Sequence, residues 1–416
     1  MTDLSKKYQK KTDKQHILDN PDTYIGSIEN VEQSMFVLDD GKIINKNIYY
    51  IPGLYKLFDE GIVNCRDHVI RMKKNIDNNI PNSLPVTNIS ITITEDGTIT
   101  MLNDGNGIDV EKHPEYNVWI PELIFGHLRT STNYNKDEEK IVGGKNGFGF
   151  KLVLIWSSYG EIETVDHVRK LKYKQTFSNN LDIIGKPSIT KSSVKPYTKI
   201  TFRPDYNRFY GNDKLPDDMV KLLRKRVYDI AAVTDKTVKV KLDGNNIPVK
   251  TFLQYIEKYG IDTKVHEQSN ERWEYVVALS PTDEFMHVSF VNGIYTSKGG
   301  KHVDYILNQI TKKMVAYIEK KKKITVTSTA IKEQLMLFIR CDIVNPAFDS
   351  QTKDYMNTPI TKFGSSCVVS DKFIEKIAKL GVMESACAIT QVKDNKAAKK
   401  SDGKKSRNVR GIPKLI

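Results

Sequence analysis

The sequence of 416 residues predicts an α+β fold, a first sandwich of mixed sheet and helices followed by a second α+β domain. Three observations carry that expectation. A helical period over Pro52 to Lys74 gives way to a strand hairpin around Ile89 to Met101. Strand and helix signals at Thr198 to Phe202 and Met219 to Ala232 close a first unit, and a fresh strand series opens at Val238 to Leu242.

At about 100° per residue, Glu60, Asn64, Asp67 and Arg71 share one stripe of the helix, opposite Leu54, Phe58, Ile62, Cys65, Val69 and Met72. The apolar stripe packs, and the polar one can hold a ligand. A carboxylate one turn before a carboxamide suits nucleotide hydrolysis: Glu60 can take a proton from water while Asn64 offers a hard oxygen to Mg²⁺. Asp67 can orient a base edge or a metal-bound water. Read alone, the same stripe is that of a solvated helix face.

The hairpin alternates Ile89, Ile91 and Ile93 with polar residues, turns at Asp96-Gly97, resumes at Ile99 and Met101, and ends on Asn103-Asp104-Gly105-Asn106-Gly107. A polar residue at a strand end can meet an adenine edge, and glycines permit close approach; an ordinary surface turn has the same composition. Further on, Thr130-Ser131-Thr132-Asn133 precedes an acidic stretch and then Gly143 to Lys151, where four glycines fall within seven residues ahead of the apolar run Leu152 to Trp156. That is the composition of an anion-binding loop at a helix start. It is neither a Walker A loop nor a dinucleotide fingerprint.

After the junction, placed near residue 236, Asp243 to Asn246 reads as a hairpin turn. Strands are expected near Tyr275 to Leu279, His287 to Val291 and Leu335 to Ile343, with helices over Val303 to Glu319 and Asp371 to Lys379. With 64 Lys and Arg against 51 Asp and Glu, the net charge of +13 favours an acidic partner. Lys320, Lys321, Lys322 and Lys323 form an unbroken run between a helix and a Thr-rich strand candidate, and Lys393 to Arg410 carries eight Lys or Arg against two Asp. A loop of four lysines neutralises phosphates without reading sequence. No run reaches the length of a membrane span and Met1 to Lys7 has no apolar signal core, so a soluble intracellular protein without a membrane partner is expected. Cys65, Cys341, Cys367 and Cys387 stand far apart, which predicts reduced thiols and neither zinc nor disulfide.

The order Glu60-x-x-x-Asn64, Asn103-x-Gly105-x-Gly107, Thr130 to Tyr134 and Gly144 to Gly149 resembles the GHKL ATPase fold of gyrase-type topoisomerases, heat-shock chaperones, mismatch-repair clamps and sensor kinases. His16-Ile17-Leu18 with Pro21 to Ser27, Ser289 to Gly293, Thr296 to Gly300 and Asn345 to Lys353 narrow the resemblance to eukaryotic-type type IIA DNA topoisomerases, over almost the whole chain.

That resemblance implies roles. Glu60 matches the general base, Asn64 the magnesium ligand and Asn103 the adenine contact, with Asp67 beside them. Ser131, Thr132 and Asn133 match the ribose and phosphate segment. Gly144, Lys145, Asn146, Gly147, Phe148, Gly149, Phe150 and Lys151 match the loop around the triphosphate, and Thr198 faces the nucleotide. Gln351, Thr352 and Lys353 match the tripeptide whose lysine reaches the γ-phosphate. Residues 1–15 match a strap whose Tyr8 touches the partner's nucleotide, 16–236 the ATPase domain, 237–410 a transducer domain whose lysine loop approaches duplex DNA, and 411–416 the lead into a cleavage region. With no metal-binding acidic cluster or cleavage tyrosine after that lead-in, the expected reading is the ATPase portion of a longer enzyme.

The function so implied is an ATP- and Mg²⁺-dependent gate, a homodimer closed by ATP around a duplex, working with the cleavage region of the same enzyme. Its location would be the nucleus of a cellular eukaryote, or the replication site or virion of a large DNA virus. A chaperone or mismatch-repair type clamp, or a DNA clamp that does not hydrolyse ATP, is the alternative. Gly61, Cys65, Arg66, His68 and Phe150 depart from the family's usual residues without removing a proposed ligand.

Overall fold

A computed structural model describes residues 8, 10–128, 141–143, 149–282, 284–392 and 395. Packing divides the chain into two compact units: residues 1–260 with 290–298 and 340–364, and residues 261–289, 299–339 and 365–416. The chain therefore returns to its first unit twice after residue 260, and residue 236 lies within that unit.

The first unit opens with α1 (Asp13–Asp19) and α2 (Pro21–Tyr24), then a long antiparallel hairpin of β1 (Val31–Asp39) and β2 (Lys42–Tyr50). The helix α3 (Pro52–Asp77) follows. Pro52 suits its first turn, where a backbone N–H has no partner to lose, and Lys74 complements the dipole in its last. Leu54, Phe58, Ile62, Cys65, Val69 and Met72 are all buried. Next come β3 (Asn88–Ile93), β4 (Ile99–Asp104), α4 (Ile120–Gly126) and α5 (Gly149–Ile155). The sheet is completed by β5 (Ser157–Asp166), β6 (Leu171–Ser178), β7 (Ile183–Ile184), β8 (Ser188–Lys191) and β9 (Tyr197–Pro204). Then follow α6 (Tyr206–Tyr210), α7 (Asp217–Val233), β10 (Lys239–Leu242), β11 (Asn245–Asn246) and α8 (Phe252–Glu257).

Among the described residues these strands form one mixed sheet in the order β11-β10-β3-β4-β9-β5-β6-β7, with β8 paired to β6. Ile91 lies opposite Met101, so the alternation of β3 and β4 buries Ile89, Ile91, Ile93, Ile99 and Met101 together, and α3 packs on β4 and α7.

The strand at Val238 to Leu242 does not open a new sheet as the sequence suggested. It joins β3 in parallel, with Val240 beside Ile89. Asp243 and Gly244, both at positive φ, make the tight turn to β11, and the Asp243 carboxylate accepts hydrogen bonds from the Ile93 N–H (2.9 Å) and Arg224 (3.0 Å). The first bond ties the new strand to the old sheet's edge, and the second ties it to α7.

The second sheet has the order β12 (Lys264–Asn270), β13 (Trp273–Leu279), β16 (Leu335–Cys341), β14 (Met286–Val291) and β15 (Ile294–Tyr295). Trp273 to Ala278 are buried without alternation, the mark of a strand covered on both faces. Along the chain, β14 and β16 run on into the first-unit segments 290–298 and 340–364. The second unit's helices are α9 (Lys301–Lys322), α10 (Ser328–Lys332) and α11 (Asp371–Ile377).

Two local expectations change here. Lys320, Lys321 and Lys322 are the last turn of α9, and Lys323, at φ 58°, is its left-handed cap, so the run is a helix end and not a loop. Lysine is favoured there by the helix dipole. The Thr-rich strand candidate is instead the start of α10, because the Thr327 hydroxyl accepts from the Ala330 N–H and caps a helix. The four cysteines are buried thiols outside any disulfide, and no helix among the described residues is long and apolar enough to cross a membrane.

Candidate active site

Glu60 sits in the first half of α3, 6% exposed, and both Lys56 and Lys353 reach its Oε1 oxygen, at 2.8 Å and 3.2 Å. Burial alone would raise its pKa; the two ammonium groups outweigh burial and hold it down to about 2. The carboxylate is therefore ionised although desolvated. Its other oxygen, Oε2, points at Gly149, where a Cβ would lie 2.8 Å away and 3.8 Å from the Asn64 amide nitrogen. A side chain at Gly149 would compete with the carboxylate for that space. Asn64, half-buried, thus shares the end of the glycine-rich segment with Glu60.

Asp67, on the same helix, holds backbone in this structure. Both its oxygens accept from the Gly143 N–H, at 2.9 Å and 3.0 Å, so it anchors the backbone where the glycine-rich segment begins. The Gly143 carbonyl in turn accepts from Lys353 Nζ at 3.3 Å, and Asn292 donates to the Val142 carbonyl at 3.4 Å.

Lys353 reaches the site from a braced loop. Phe348 bridges Met356, the Asp349 N–H donates to the Tyr355 carbonyl, and Thr358 Oγ1 accepts from the Ala347 N–H at 2.7 Å. Lys353 itself stands at φ 62°, a left-handed backbone uncommon for a bulky side chain. Asp354 holds the tip in place by accepting from Ser297 (3.0 Å) and Thr352 (2.9 Å), and the Thr352 methyl packs over Gly26, where a Cβ would be 3.0 Å from it. Gln351 and Thr352 are half-buried.

Asn103, 9% exposed, lies opposite Thr198 across β4 and β9, and Thr198 shares a 3.0 Å hydroxyl contact with Thr164. Thr164 Oγ1 also accepts from the Ile108 N–H at 2.9 Å. Gly107 is packed so tightly on β5 that a Cβ would fall 1.9 Å from the Val165 carbonyl oxygen. That glycine is dictated by the protein's own backbone.

The departures from the family's usual residues have partners. A Cβ on Gly61 already falls 3.1 Å from the ring of Phe150 and 2.6 Å from Met101 Sδ, so a small residue at 61 makes room for a large one at 150. Arg66 donates to the Val233 carbonyl (3.0 Å) and Asp342 (2.9 Å). His68 contacts the Asn106 carbonyl at 3.0 Å, and burial, with Arg71 nearby, pushes its pKa down to about 3. Lys151 is buried, and burial lowers its pKa to about 8.

The structure thus brings Asp67 and Lys353 onto Gly143, Glu60 onto Lys353, and Glu60 and Asn64 beside Gly149, with Asn103 beside Thr198. Ser131, Thr132, Asn133 and Gly144, Lys145, Asn146, Gly147 and Phe148 lie outside the described residues. Tyr8 is exposed, and Lys320 to Lys323 are exposed on the second unit. Sequence reasoning missed Lys56, although it lies one turn before Glu60 on the same stripe. It also missed Arg226 and Thr164, which carry no motif. Among the described residues no three His, Cys, Asp or Glu side chains converge as a metal cage. A Mg²⁺ ion held by one amide oxygen and by phosphates fits that donor set.

A mixed sheet carrying a buried, ion-paired carboxylate on a long helix, followed by a second α+β unit, has close counterparts. The ATPase region of Saccharomyces cerevisiae topoisomerase II superposes with a TM-score of 0.86 at 40% identity, covering 93% of this chain and 100% of that one. The ATPase and transducer domains of DNA topoisomerase II from Balamuthia mandrillaris give 0.86 at 38% identity, covering 94% and 99%. A family model described as DNA gyrase B matches residues 235–408.

DNA topoisomerase 2 of Arabidopsis thaliana is 42% identical over 98% of this chain and 28% of its own length, and that of Acanthamoeba polyphaga mimivirus 41% identical over 96% and 32%. Fold and site define a GHKL-type ATPase sandwich with a transducer-like second domain. The chain belongs to the eukaryotic-type DNA topoisomerase 2 family, matching its ATPase region, and spans less than a third of the length of those relatives. Such membership implies nucleotide binding.

Proposed function

We propose that the chain is the ATP-hydrolysing dimerisation gate of a type IIA DNA topoisomerase, coupling turnover to passage of one duplex through a break in another. One observation carries the reading: Glu60 and Lys353, separated by 293 residues, meet in a buried pair at 3.2 Å beside Asn64 and Gly149. The ion pairs running from it support an anionic ligand. Lys353, Lys56, Arg226 and Lys225 are linked to Glu60, Asp59 and Asp229, four cations against three carboxylates. A phosphate balances the excess positive charge.

In this mechanism Lys353 turns from Glu60 to the γ-phosphate. Glu60 then keeps Lys56 as its cation, becomes more basic, and takes the proton of a water whose oxygen attacks phosphorus. The bond to the bridging oxygen breaks, and that oxygen leaves with its electron pair on ADP. Asn64 would hold Mg²⁺, which supplies charge neutralisation on the phosphate oxygens. Once the γ-phosphate departs, Lys353 returns to Glu60 and the loop relaxes. Asn103 and Thr198 receive the adenine edge; Ser131, Thr132, Asn133 and the segment Gly144 to Lys151 wrap ribose and phosphates.

The division into a strap (1–15), an ATPase domain (16–236), a transducer domain (237–410) and a link (411–416) is part of the proposal, and the family match over residues 235–408 supports it. So are Tyr8 on a partner subunit's nucleotide, Lys320 to Lys323 on duplex DNA, and a nuclear or viral site of action; relatives occur in both eukaryotes and a mimivirus.

The test is ATP hydrolysis against protein concentration, with and without duplex DNA. Turnover should rise with concentration and with DNA, and fall on the order of 10²–10⁴-fold in Glu60→Ala. ATP binding without turnover in the native chain would favour a non-hydrolysing clamp, and turnover indifferent to DNA a chaperone-like relative.

A further inference from the structure

The cation at Lys56 has no place in the mechanism's bond-making, yet it is the nearer of the two lysines on Glu60. It is 4% exposed, and its Nζ lies 2.8 Å from Glu60 Oε1 and 3.3 Å from Asp59 Oδ2. Behind it the contacts continue. Asp59 accepts from Arg226 Nε at 2.7 Å; Arg226 is wholly buried, donates to the Gly293 carbonyl at 2.7 Å, and stands 3.8 Å from Asp229. Asp229 is held by Lys225 at 3.0 Å and by the Tyr255 hydroxyl at 2.7 Å. Every member of this row lies in the first unit, and each is fixed from at least two sides.

We propose that Lys56 is a positioning residue for the reaction: it pins Oε1 of Glu60, so that Oε2 stays aimed at the end of the glycine-rich segment when Lys353 is engaged elsewhere. The inference rests on reading Glu60 as the general base. Its physical ground is geometric. A carboxylate with one buried, backed cation on one oxygen keeps a single orientation, whereas a carboxylate that loses its only cation swings or takes a proton. Lys353 sits on a loop 293 residues away in sequence, but Lys56 shares the helix of Glu60, one turn away, and cannot leave with the nucleotide. Supporting this, both lysines lower the Glu60 pKa against the effect of burial, so removing either moves it upward.

The experiment uses the 416-residue chain in five forms: native, Lys56→Met, Lys56→Arg, Glu60→Ala and the double variant of Lys56→Met with Glu60→Ala. Steady-state ATP hydrolysis, binding of a non-hydrolysable ATP analogue and a thermal melt are read for each. A misplaced base predicts kcat in Lys56→Met lower by on the order of 10–100-fold, with KM and analogue affinity within about two-fold of native. It also predicts no further loss when Lys56→Met is added to Glu60→Ala, because the lysine acts through the carboxylate. Lys56→Arg keeps the charge on a longer side chain and should recover part of the rate.

The proposal is overturned if folded Lys56→Met turns over within about two-fold of native, or if it lowers the rate equally in the presence and absence of Glu60. Should Lys56→Met fail to fold, Lys56→Arg decides alone: at least about a three-fold fall in kcat at unchanged KM is expected, and native kcat overturns it. If instead Glu60→Ala retains native turnover, the base assignment itself fails, an outcome separable from either result at Lys56.

Discussion

Lys56, Lys353, Lys225 and Arg226 are 4%, 7%, 2% and 0% exposed and each reaches a carboxylate; Lys320, Lys321, Lys322 and Lys323 stand exposed at the end of α9. Both groups are rich in lysine and both face anionic chemistry in the proposed function, but they use charge in opposite ways. A buried cation has given up its water, so its energy depends on partners at fixed distances. An exposed one keeps its water and acts through a field that salt screens. The first arrangement can hold one oxygen of one carboxylate; the second can gather a polyanion without regard to its sequence.

The contrast is sharpest at Arg226. Arg226→Met removes the buried guanidinium between Asp59 and Asp229, leaving Asp59 with Lys56 and Asp229 with Lys225 and Tyr255, and a loss of about 3–5 kcal/mol in unfolding free energy is expected from denaturant titration. A loss under about 1 kcal/mol would mean that water reaches the row and the comparison fails. His68 tests the buried side through pH. Its pKa, ordinarily 6.5, is lowered to about 3 in the folded chain, so the unfolded chain binds the proton first. Stability is therefore fully present above about pH 6.5 and is lost as pH falls toward 3. Between pH 7 and pH 5 the native chain should lose about 1–2 kcal/mol more than His68→Gln; equal losses would place the ring in solvent.

Replacing Lys320 to Lys323 with Gln should change stability by no more than about 0.5 kcal/mol. It should lower the slope of log affinity for duplex DNA against log salt by about one per lysine that meets a phosphate. An unchanged slope would remove that helix end from the DNA surface.

How much of this was legible beforehand differs by kind of information. The helix α3 could be read because its apolar stripe repeats with helical period, and β3 with β4 because alternation and a turn signal are local. Pairing partners are not local: the strand at Val238 to Leu242 was recognised as a strand but assigned to a new sheet, since nothing in those residues names β3. Lys353 could be linked to Glu60 only through the family resemblance, as no periodicity connects positions 293 apart.

Lys56 was overlooked for a physical reason, because a lysine on the polar stripe of a helix ordinarily points to water. Gly61, Arg66, His68 and Phe150 looked like separate irregularities. In space Gly61 accommodates Phe150, Arg66 meets Asp342, and His68 meets Asn106, each an exchange between segments distant in sequence.

The 293-residue separation of Glu60 and Lys353 also bears on how the protein is made. At ordinary rates of synthesis the ribosome adds the intervening residues over roughly 15–60 s, during which α3 and its carboxylate already exist while the loop carrying Lys353 does not. Throughout that interval Lys56, four residues upstream, is the cation at hand for Glu60. The first cation for that charge is thus encoded beside it, and the second is added only after the 293 intervening residues have been synthesised.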